Sequence, residues 1–147
     1  MPIDTSSARF SQEDLKTGLH VLEMFSGITC GGLRTILEAG YHVSCYTSVE
    51  IDNVSRIIAR KTLDDLQKQY PGQLPDKAIK GYSKRVPQDI QVIKPINLHN
   101  LIKDKGPIHF ISGGWECQSM SMAGKHLGMS DERFMPFLDM IRICNFL

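Results

Sequence analysis

The chain has 147 residues, 41% of them hydrophobic and 22% charged, which is enough for one domain with a buried core. Its 17 Lys and Arg residues nearly balance 16 Asp and Glu residues, so the net charge of +1 lacks the basic excess typical of a free-standing DNA-binding domain. No stretch is apolar enough to span a membrane, and the N-terminus lacks the hydrophobic segment of a secretion signal. We therefore expect an intracellular protein, cytoplasmic or nuclear rather than secreted, with no membrane partner.

The four cysteines are Cys30, Cys45, Cys117 and Cys144. None forms a Cys-x-x-Cys pair, and none has a zinc-type spacing to another cysteine or to a histidine. Free thiols in a reducing compartment are therefore expected, with no bound metal.

The polar N-terminal segment, residues 1–17, predicts a loosely ordered lead-in to a single domain of residues 18–147. Within the lead-in, Ser11 and Asp14 have the spacing of a capping box, which favours one helical turn. The domain has no internal repeat and no linker-like stretch.

A strand, a glycine-rich turn and a helix open the domain. Residues 18–25 are nearly continuous in apolar character, as in a parallel strand buried on both faces. Residues 26–32 contain three glycines, and an apolar helix face follows them. Glycines let the backbone approach a ligand closely, and the helix N-terminus supplies free N–H groups. This unit is typical of a nucleotide-binding site.

An acidic residue, Glu50, ends the second predicted strand, residues 43–50, and lies 23 positions after Gly27. A carboxylate at this place can accept hydrogen bonds from both ribose hydroxyls of a nucleoside, and Ile51 beside it can pack on an adenine face. The alternative is a solvated acidic residue at a strand end.

The rest of the chain continues the alternation of strands and helices. A helix is predicted from Asp52 or Asn53 to about Tyr70, and a poor edge strand over residues 82–86, before Asp89. Further elements are predicted at residues 96–103 (helix), 108–112 (strand) and 132–147 (helix). The pattern predicts an α/β fold with a parallel sheet in the order 3-2-1-4 and helices on both faces.

A loop, residues 112–125, follows the last predicted strand and contains Cys117. Open α/β sheets place their chemistry at the carboxyl ends of strands, and a thiolate is a strong nucleophile. The loop thus favours a nucleophile, against the alternative of a structural cysteine in a turn. In the predicted sheet, the glycine turn, Glu50, Asp89 and Cys117 all lie at the same edge.

Taken together, these segments resemble the cytosine-C5 DNA methyltransferases, from about residue 19 onward. Residues 22–27 with Gly31 and Gly32 are similar to the family's first motif, which cradles the methionine end of S-adenosylmethionine. Glu50 is similar to its ribose-binding acid, and Asp89 with Ile90 to its adenine-binding pair. The family's Rossmann-like S-adenosylmethionine-dependent methyltransferase fold is therefore expected, here with an incomplete sheet.

The cysteine loop gives the most specific match. Residues 113–118, followed by Ala-Gly-Lys and later by Asp-x-Arg, resemble the family's catalytic loop. The resemblance implies that Cys117 is the nucleophile, and that S-adenosylmethionine is the cofactor. It implies cofactor contacts for Phe25, Ser26, Gly27, Cys30, Gly31, Gly32, Glu50, Ile51, Asp89 and Ile90, and substrate-loop roles for Gly114, Glu116, Gln118, Ser121, Lys125 and Arg133.

The implied reaction is methyl transfer from S-adenosylmethionine to C5 of a cytosine in DNA. In it, the Cys117 thiolate adds to C6 of a cytosine flipped out of the duplex, and C5 then attacks the sulfonium methyl. Phe25 is a candidate wall for the sulfonium, with a cation–π contribution.

Three departures from the family pattern lead to further expectations. Glu116 stands before the cysteine where the family usually has proline, and its charge disfavours the neighbouring thiolate. The sequence ends in the helix after the catalytic loop, so the later family elements are absent from it. A sheet that stops there leaves one edge and an apolar helix uncovered. We therefore expect a fragment or subunit of a methyltransferase, truncated after the cysteine motif, that needs a second polypeptide.

Three alternatives remain. One is an inactive remnant or regulatory partner that binds S-adenosylmethionine or another methyltransferase subunit. Another is a cytosine-C5 methyltransferase of tRNA, since one branch of the family acts on tRNA. The third is a dehydrogenase-type nucleotide-binding domain. Its glycine turn would have the pattern G-x-G-x-x-G, which is not present here, and this interpretation leaves the cysteine loop unexplained.

Overall fold

The computed structural model describes residues 10–114 and 130–147. Three parallel strands form one sheet, with helices before, between and after them. The strands are β1 (Leu19–Met24), β2 (Val43–Val49) and β3 (Phe110–Gly113). The helices are α1 (Gln12–Thr17), α2 (Gly31–Glu38), α3 (Asn53–Gln69), α4 (Asp76–Ile79), α5 (Pro95–Lys105) and α6 (Met135–Phe146), and short 3-10 turns cover Ile90–Val92 and Glu132–Phe134.

The sheet has the order β2-β1-β3, and β1 pairs in parallel with both neighbours. Every residue of β1 is buried, as its apolar sequence predicts for a central strand. Met24 lies opposite Val49 on one side and Gly113 on the other. The carboxyl ends of all three strands therefore meet at one edge of the sheet. The α/β class is confirmed, and the order agrees with the predicted neighbours of the first strand.

The predicted edge strand over residues 82–86 is wrong, because this segment forms turns. The backbone groups at the outer edge of β2 instead form hydrogen bonds with side chains and with a turn. The Arg85 guanidinium donates to the Tyr46 carbonyl and, at 2.7 Å, to that of Lys80. The Ser48 N–H donates to the Tyr82 carbonyl at 3.1 Å. With these groups paired, the β2 edge needs no further strand.

Two hydrophobic cores lie on opposite faces of the sheet, which confirms helices on both sides. The first joins Leu19 and Val21 of β1 to α2, α3 and α4. The second joins Leu22 and Met24 to α5 and to Ile143 of α6. Alternate residues of β1 thus supply alternate cores, as the twofold repeat of a strand requires.

The predicted capping box at the N-terminus is present. The Ser11 hydroxyl accepts from the Asp14 N–H at 3.0 Å, and the Asp14 carboxylate accepts from the Ser11 N–H at 2.9 Å. The same carboxylate lies 3.1 Å from Nε2 of His109 and so links α1 to the segment leading into β3.

Among the helices of residues 10–114 and 130–147, none has the length and apolar character that a membrane-spanning helix needs.

A fully buried histidine makes the stability of the fold sensitive to pH. His20 on β1 has Nδ1 at 3.1 Å from the Gly106 carbonyl and Nε2 at 3.4 Å from the Thr47 hydroxyl. Burial lowers the pKa of His20 from 6.5 to about 4, with nearby Arg85 and Lys105 acting in the same direction. Because the folded pKa lies below the unfolded one, its stabilising contribution is complete above pH 6.5 and declines as the pH falls towards 4.

Between pH 7 and pH 5, we therefore expect the free energy of unfolding of the wild type to fall by about 2 kcal/mol relative to that of a His20→Gln variant, since each unit of pKa difference corresponds to about 1.4 kcal/mol. The comparison with the variant cancels the opposite contribution of Glu23, whose pKa burial raises. Urea unfolding of both proteins at the two pH values checks the prediction. Equal changes in the two proteins would contradict it.

Candidate functional site

The turn between β1 and α2 has an unusual backbone. Phe25, Gly27 and Cys30 have φ values of 55°, 56° and 49°, all in the left-handed region. This region strains residues with a side chain, and such strain is typical of functional loops. Gly32 is required for another reason, since a Cβ there would lie 1.9 Å from the Ser112 hydroxyl of β3. The turn thus brings the start of α2 close to the carboxyl end of β3.

Glu23 holds this turn from inside the protein. Its buried carboxylate accepts from the N–H groups of Gly32 and Leu33 at 2.8 and 3.3 Å, and from the Tyr46 hydroxyl at 2.9 Å. Burial raises the pKa of Glu23, and these three hydrogen bonds oppose the rise. Glu23 lies within the first motif, but the sequence indicates no role for it. The available signal was an acidic residue inside an otherwise apolar strand.

Glu50 lies directly after β2 and faces the turn, as predicted. One carboxylate oxygen accepts from the Gly27 N–H at 2.9 Å, and the other accepts from the Asp52 N–H at 3.0 Å. Each carboxylate oxygen can accept a second hydrogen bond. The carboxylate is therefore held in place by the backbone and keeps acceptor capacity for a ligand.

Two cavities that share three wall residues open at this edge of the sheet, and we call them together the strand-end cleft. The larger, of about 420 Å³, is lined by Phe25, Gly27, Glu50, Ile51, Gly114, Arg133 and Pro136. The smaller, of about 150 Å³, is lined by Phe25, Val49, Ile51, Gln88, Asp89, Ile90, Gln91 and Pro136. The fold thus brings together six of the predicted cofactor residues with two of the predicted substrate-loop residues.

Another hollow, of about 490 Å³, lies near the C-terminal end of α3. Its lining includes Asp64, Lys68 and Leu74 and no residue predicted to have a function. It lies near the amino end of β2, because the Val43 N–H pairs with the nearby Gln73 carbonyl. Ligands of open α/β sheets bind at the opposite edge, so the strand-end cleft is the better candidate.

The smaller cavity is supported by the predicted Asp89 and by Arg142, for which the sequence indicated no role. Asp89 caps the 3-10 turn by accepting from the Gln91 N–H at 3.0 Å. Arg142 of α6 donates to the carbonyls of Ile90 and Ile93 at 3.2 and 2.7 Å. These contacts join segments about 50 positions apart, so no local sequence pattern shows them. They fix the predicted adenine-binding pair against α6.

Residues 19–147 match the family of C-5 cytosine-specific DNA methylases. The chain belongs to this family. No curated protein matches the chain. The match covers the whole described domain from β1 onward, and it agrees with the resemblance carried by the glycine turn, Glu50 and the cysteine loop.

The strand-end cleft has the size and the groups expected of a site for the adenosine part of the cofactor. Its larger cavity lies within the usual size range of ligand pockets, of roughly 300–1,000 Å³. It offers a fixed carboxylate, and Ile51 and Phe25 provide apolar surface beside it. Throughout residues 10–114 and 130–147, no group of three His, Cys, Asp or Glu side chains is arranged to hold a metal ion.

Arg133, in the segment before α6, lines the larger cavity of the strand-end cleft. Its guanidinium pairs with the buried Asp131 carboxylate, with Nε at 2.9 and 3.1 Å from the two oxygens. The predicted nucleophile Cys117 lies outside the described residues. So do the predicted loop residues Glu116, Gln118, Ser121 and Lys125.

The other predicted turn residues do not line the cleft. Ser26 is buried, with its N–H 3.4 Å from the Val49 carbonyl. Gly31 begins α2, and the preceding residue, Cys30, is buried. Burial raises the pKa of Cys30 to about 11, which makes this thiol a poor nucleophile. Cys30, Cys45 and Cys144 are all free thiols, as expected.

Proposed function

We propose that this chain binds S-adenosylmethionine in the strand-end cleft and acts in methyl transfer to C5 of cytosine in DNA. The observation that carries the proposal is the position of Glu50. Its carboxylate is tied to the Gly27 and Asp52 N–H groups on the wall of the larger cavity, beside the cavity that contains Asp89 and Ile90. Membership of the C-5 cytosine-specific DNA methylases supports both the cofactor and the DNA substrate.

Each residue of the cleft has a separate task in this proposal. Glu50 accepts hydrogen bonds from the ribose hydroxyls, and Ile51 contacts the adenine ring. Asp89 accepts from the adenine amino group. Phe25 forms the wall beside the sulfonium, whose charge its ring can stabilise. When bound, the cofactor supplies an electrophilic methyl group.

Cys117 is the proposed nucleophile. Its thiolate forms a bond to C6 of a flipped-out cytosine, which raises the electron density at C5. C5 takes the methyl group, and the carbon–sulfur bond of the sulfonium breaks with its electron pair left on sulfur. Loss of the C5 proton to a base and of the Cys117 thiolate then restores the aromatic ring.

We also propose that a further polypeptide segment completes the catalytic domain. In the described part of the chain, the outer edge of β3 pairs with no strand. Apolar residues of α6 and the residue that follows it are exposed, namely Met135, Leu138, Ile141, Phe146 and Leu147. An open strand edge beside an apolar surface favours contact with another segment. The 147-residue chain alone is therefore expected to transfer little or no methyl group.

Trapping of Cys117 tests this function. The chain is incubated with S-adenosylmethionine and duplex DNA that contains 5-fluorocytosine, alone and with a separately expressed polypeptide that carries the later family elements. Fluorine at C5 prevents proton loss, so the covalent adduct should accumulate in the mixture and be nearly absent with the chain alone. Cys117→Ser should abolish the adduct, whereas Cys144→Ser, which removes an exposed thiol, should retain it.

A second candidate function is cofactor binding without methyl transfer, as a regulatory partner of another methyltransferase subunit. Glu116 favours it, since a carboxylate beside Cys117 opposes formation of the thiolate. Binding of S-adenosylmethionine with no adduct in any mixture would support this candidate. An adduct with RNA that contains 5-fluorocytosine, but not with the DNA, would instead identify a tRNA-type substrate.

A further inference from the structure

The side chain of Gln88 pairs with the backbone at the carboxyl end of β2, next to Glu50. Its side-chain amide donates to the Ser48 carbonyl at 2.9 Å and to the Val86 carbonyl at 3.2 Å. Its amide oxygen accepts from the Glu50 N–H at 3.3 Å. Gln88 also lines the smaller cavity, directly before Asp89.

These hydrogen bonds reproduce the contacts of a neighbouring strand. The Ser48 carbonyl and the Glu50 N–H lie on either side of Val49, and in a parallel sheet one residue of the adjacent strand would pair with both such groups. No strand lies outside β2 in the described residues, so the primary amide of Gln88 takes that place. The Gln88 side chain therefore holds the main chain at the end of β2, including the backbone of Glu50.

The position of the Glu50 backbone decides where its carboxylate lies. The carboxylate accepts hydrogen bonds from the Gly27 and Asp52 N–H groups. It can accept further hydrogen bonds from a ribose only if the Glu50 main chain keeps its position relative to the glycine turn. Since Gln88 is covalently joined to Asp89, the same residue also sets the spacing between the ribose end and the adenine end of the cleft.

Building on the proposed function, we propose that Gln88 is a positioning residue that aligns Glu50 for recognition of the ribose hydroxyls. A residue with this role controls the discrimination between ribose and deoxyribose. A residue that only supports the fold changes affinity or stability without changing that discrimination.

The test compares the dissociation constants of S-adenosylhomocysteine and its 2′-deoxy analogue, measured by calorimetry on the full chain. The wild-type protein should prefer the ribose form by about tenfold, as expected for one hydrogen bond to a charged acceptor. Gln88→Met keeps the length of the side chain and removes its amide. It should reduce the preference to about twofold or less.

Gln69→Met is the matched control. Gln69 is exposed near the C-terminal end of α3 and lines neither cavity of the strand-end cleft, so the same exchange there leaves Glu50 undisturbed. This variant should keep the wild-type preference. Gln88→Asn is a second variant, for use if Gln88→Met melts at a much lower temperature than the wild type. Its side chain remains polar but is too short to reach both the Ser48 carbonyl and the Glu50 N–H, so it should also reduce the preference to about twofold or less.

The outcomes separate the inference from the function on which it rests. Equal weakening of both ligands in the Gln88 variants, or an unchanged preference, would overturn the positioning role alone. A wild-type protein that binds both ligands equally would overturn the ribose role of Glu50 together with that of Gln88. A wild-type protein that binds neither ligand would overturn the cofactor site itself.

Discussion

Replacing Glu50 with alanine should weaken the binding of S-adenosylhomocysteine by about 100-fold. The change removes the proposed acceptor of two ribose hydroxyls, and a hydrogen bond to a charged group is worth roughly 1.5–3 kcal/mol. It also leaves the N–H groups of Gly27 and Asp52 without their acceptor, so the glycine turn loses its tie to the end of β2. Isothermal titration calorimetry on the wild type and the variant measures this loss.

Two further variants control for charge and for shape. Glu38→Ala removes an exposed carboxylate from α2, away from the cleft, and should bind like the wild type. Glu50→Gln keeps the length of the side chain and one acceptor oxygen, and it should lie between the wild type and Glu50→Ala. A Glu50→Ala protein that binds within twofold of the wild type would show that Glu50 does not hold the ribose.

Replacing Glu23 with alanine should lower the free energy of unfolding by about 3–5 kcal/mol. The change leaves three donors without an acceptor, namely the N–H groups of Gly32 and Leu33 and the Tyr46 hydroxyl, and each such buried group costs roughly 1–3 kcal/mol. For a domain of this size, the loss corresponds to a decrease in Tm of about 10 °C. Thermal unfolding followed by circular dichroism checks it.

The effect of Glu23→Ala should also depend on pH. Burial raises the pKa of Glu23 above its ordinary value of 4.5. Its stabilising contribution is therefore complete below that value and declines as the pH rises through the folded pKa. The difference in stability between wild type and variant should be larger at pH 5 than at pH 8.

Tyr46→Phe is the matched control for this network, since it removes one donor and leaves the carboxylate with its two backbone partners. It should lower the free energy of unfolding by only about 1 kcal/mol. If Glu23→Ala melted at the wild-type temperature, or no lower than Tyr46→Phe, then Glu23 would not be the group that holds α2 to the sheet.

The sequence was sufficient to predict the parts of the fold that depend on local patterns. The apolar run before the glycine turn predicted β1, and Asp52 predicted the start of α3. Position alone placed Glu50 at the carboxyl end of β2, because parallel strands end at the same edge of a sheet.

The parts that failed depend on contacts between distant residues. The segment over residues 82–86 was predicted as a poor strand at the edge of the sheet, beside β2. Arg85 and Gln88 cover it with side-chain hydrogen bonds instead. The role of Glu23 was hidden in the same way, since its partners lie on α2 and β2.

The predictions for Cys117 and its loop remain predictions, because those residues lie outside the part of the chain that the structure describes. The family match supports them as a group without testing each residue. The adduct experiment with 5-fluorocytosine DNA is the direct test of the nucleophile.

The location of the cofactor is the central claim, and an NMR titration with S-adenosylhomocysteine tests it most directly. Amide resonances of a ¹⁵N-labelled chain report binding at each residue. The largest shifts are expected at the backbone amides around the strand-end cleft, above all Gly27, Ile51, Asp52 and Gln91. Shifts confined to the hollow near Asp64 and Leu74, or no shifts at saturating ligand, would contradict the assignment.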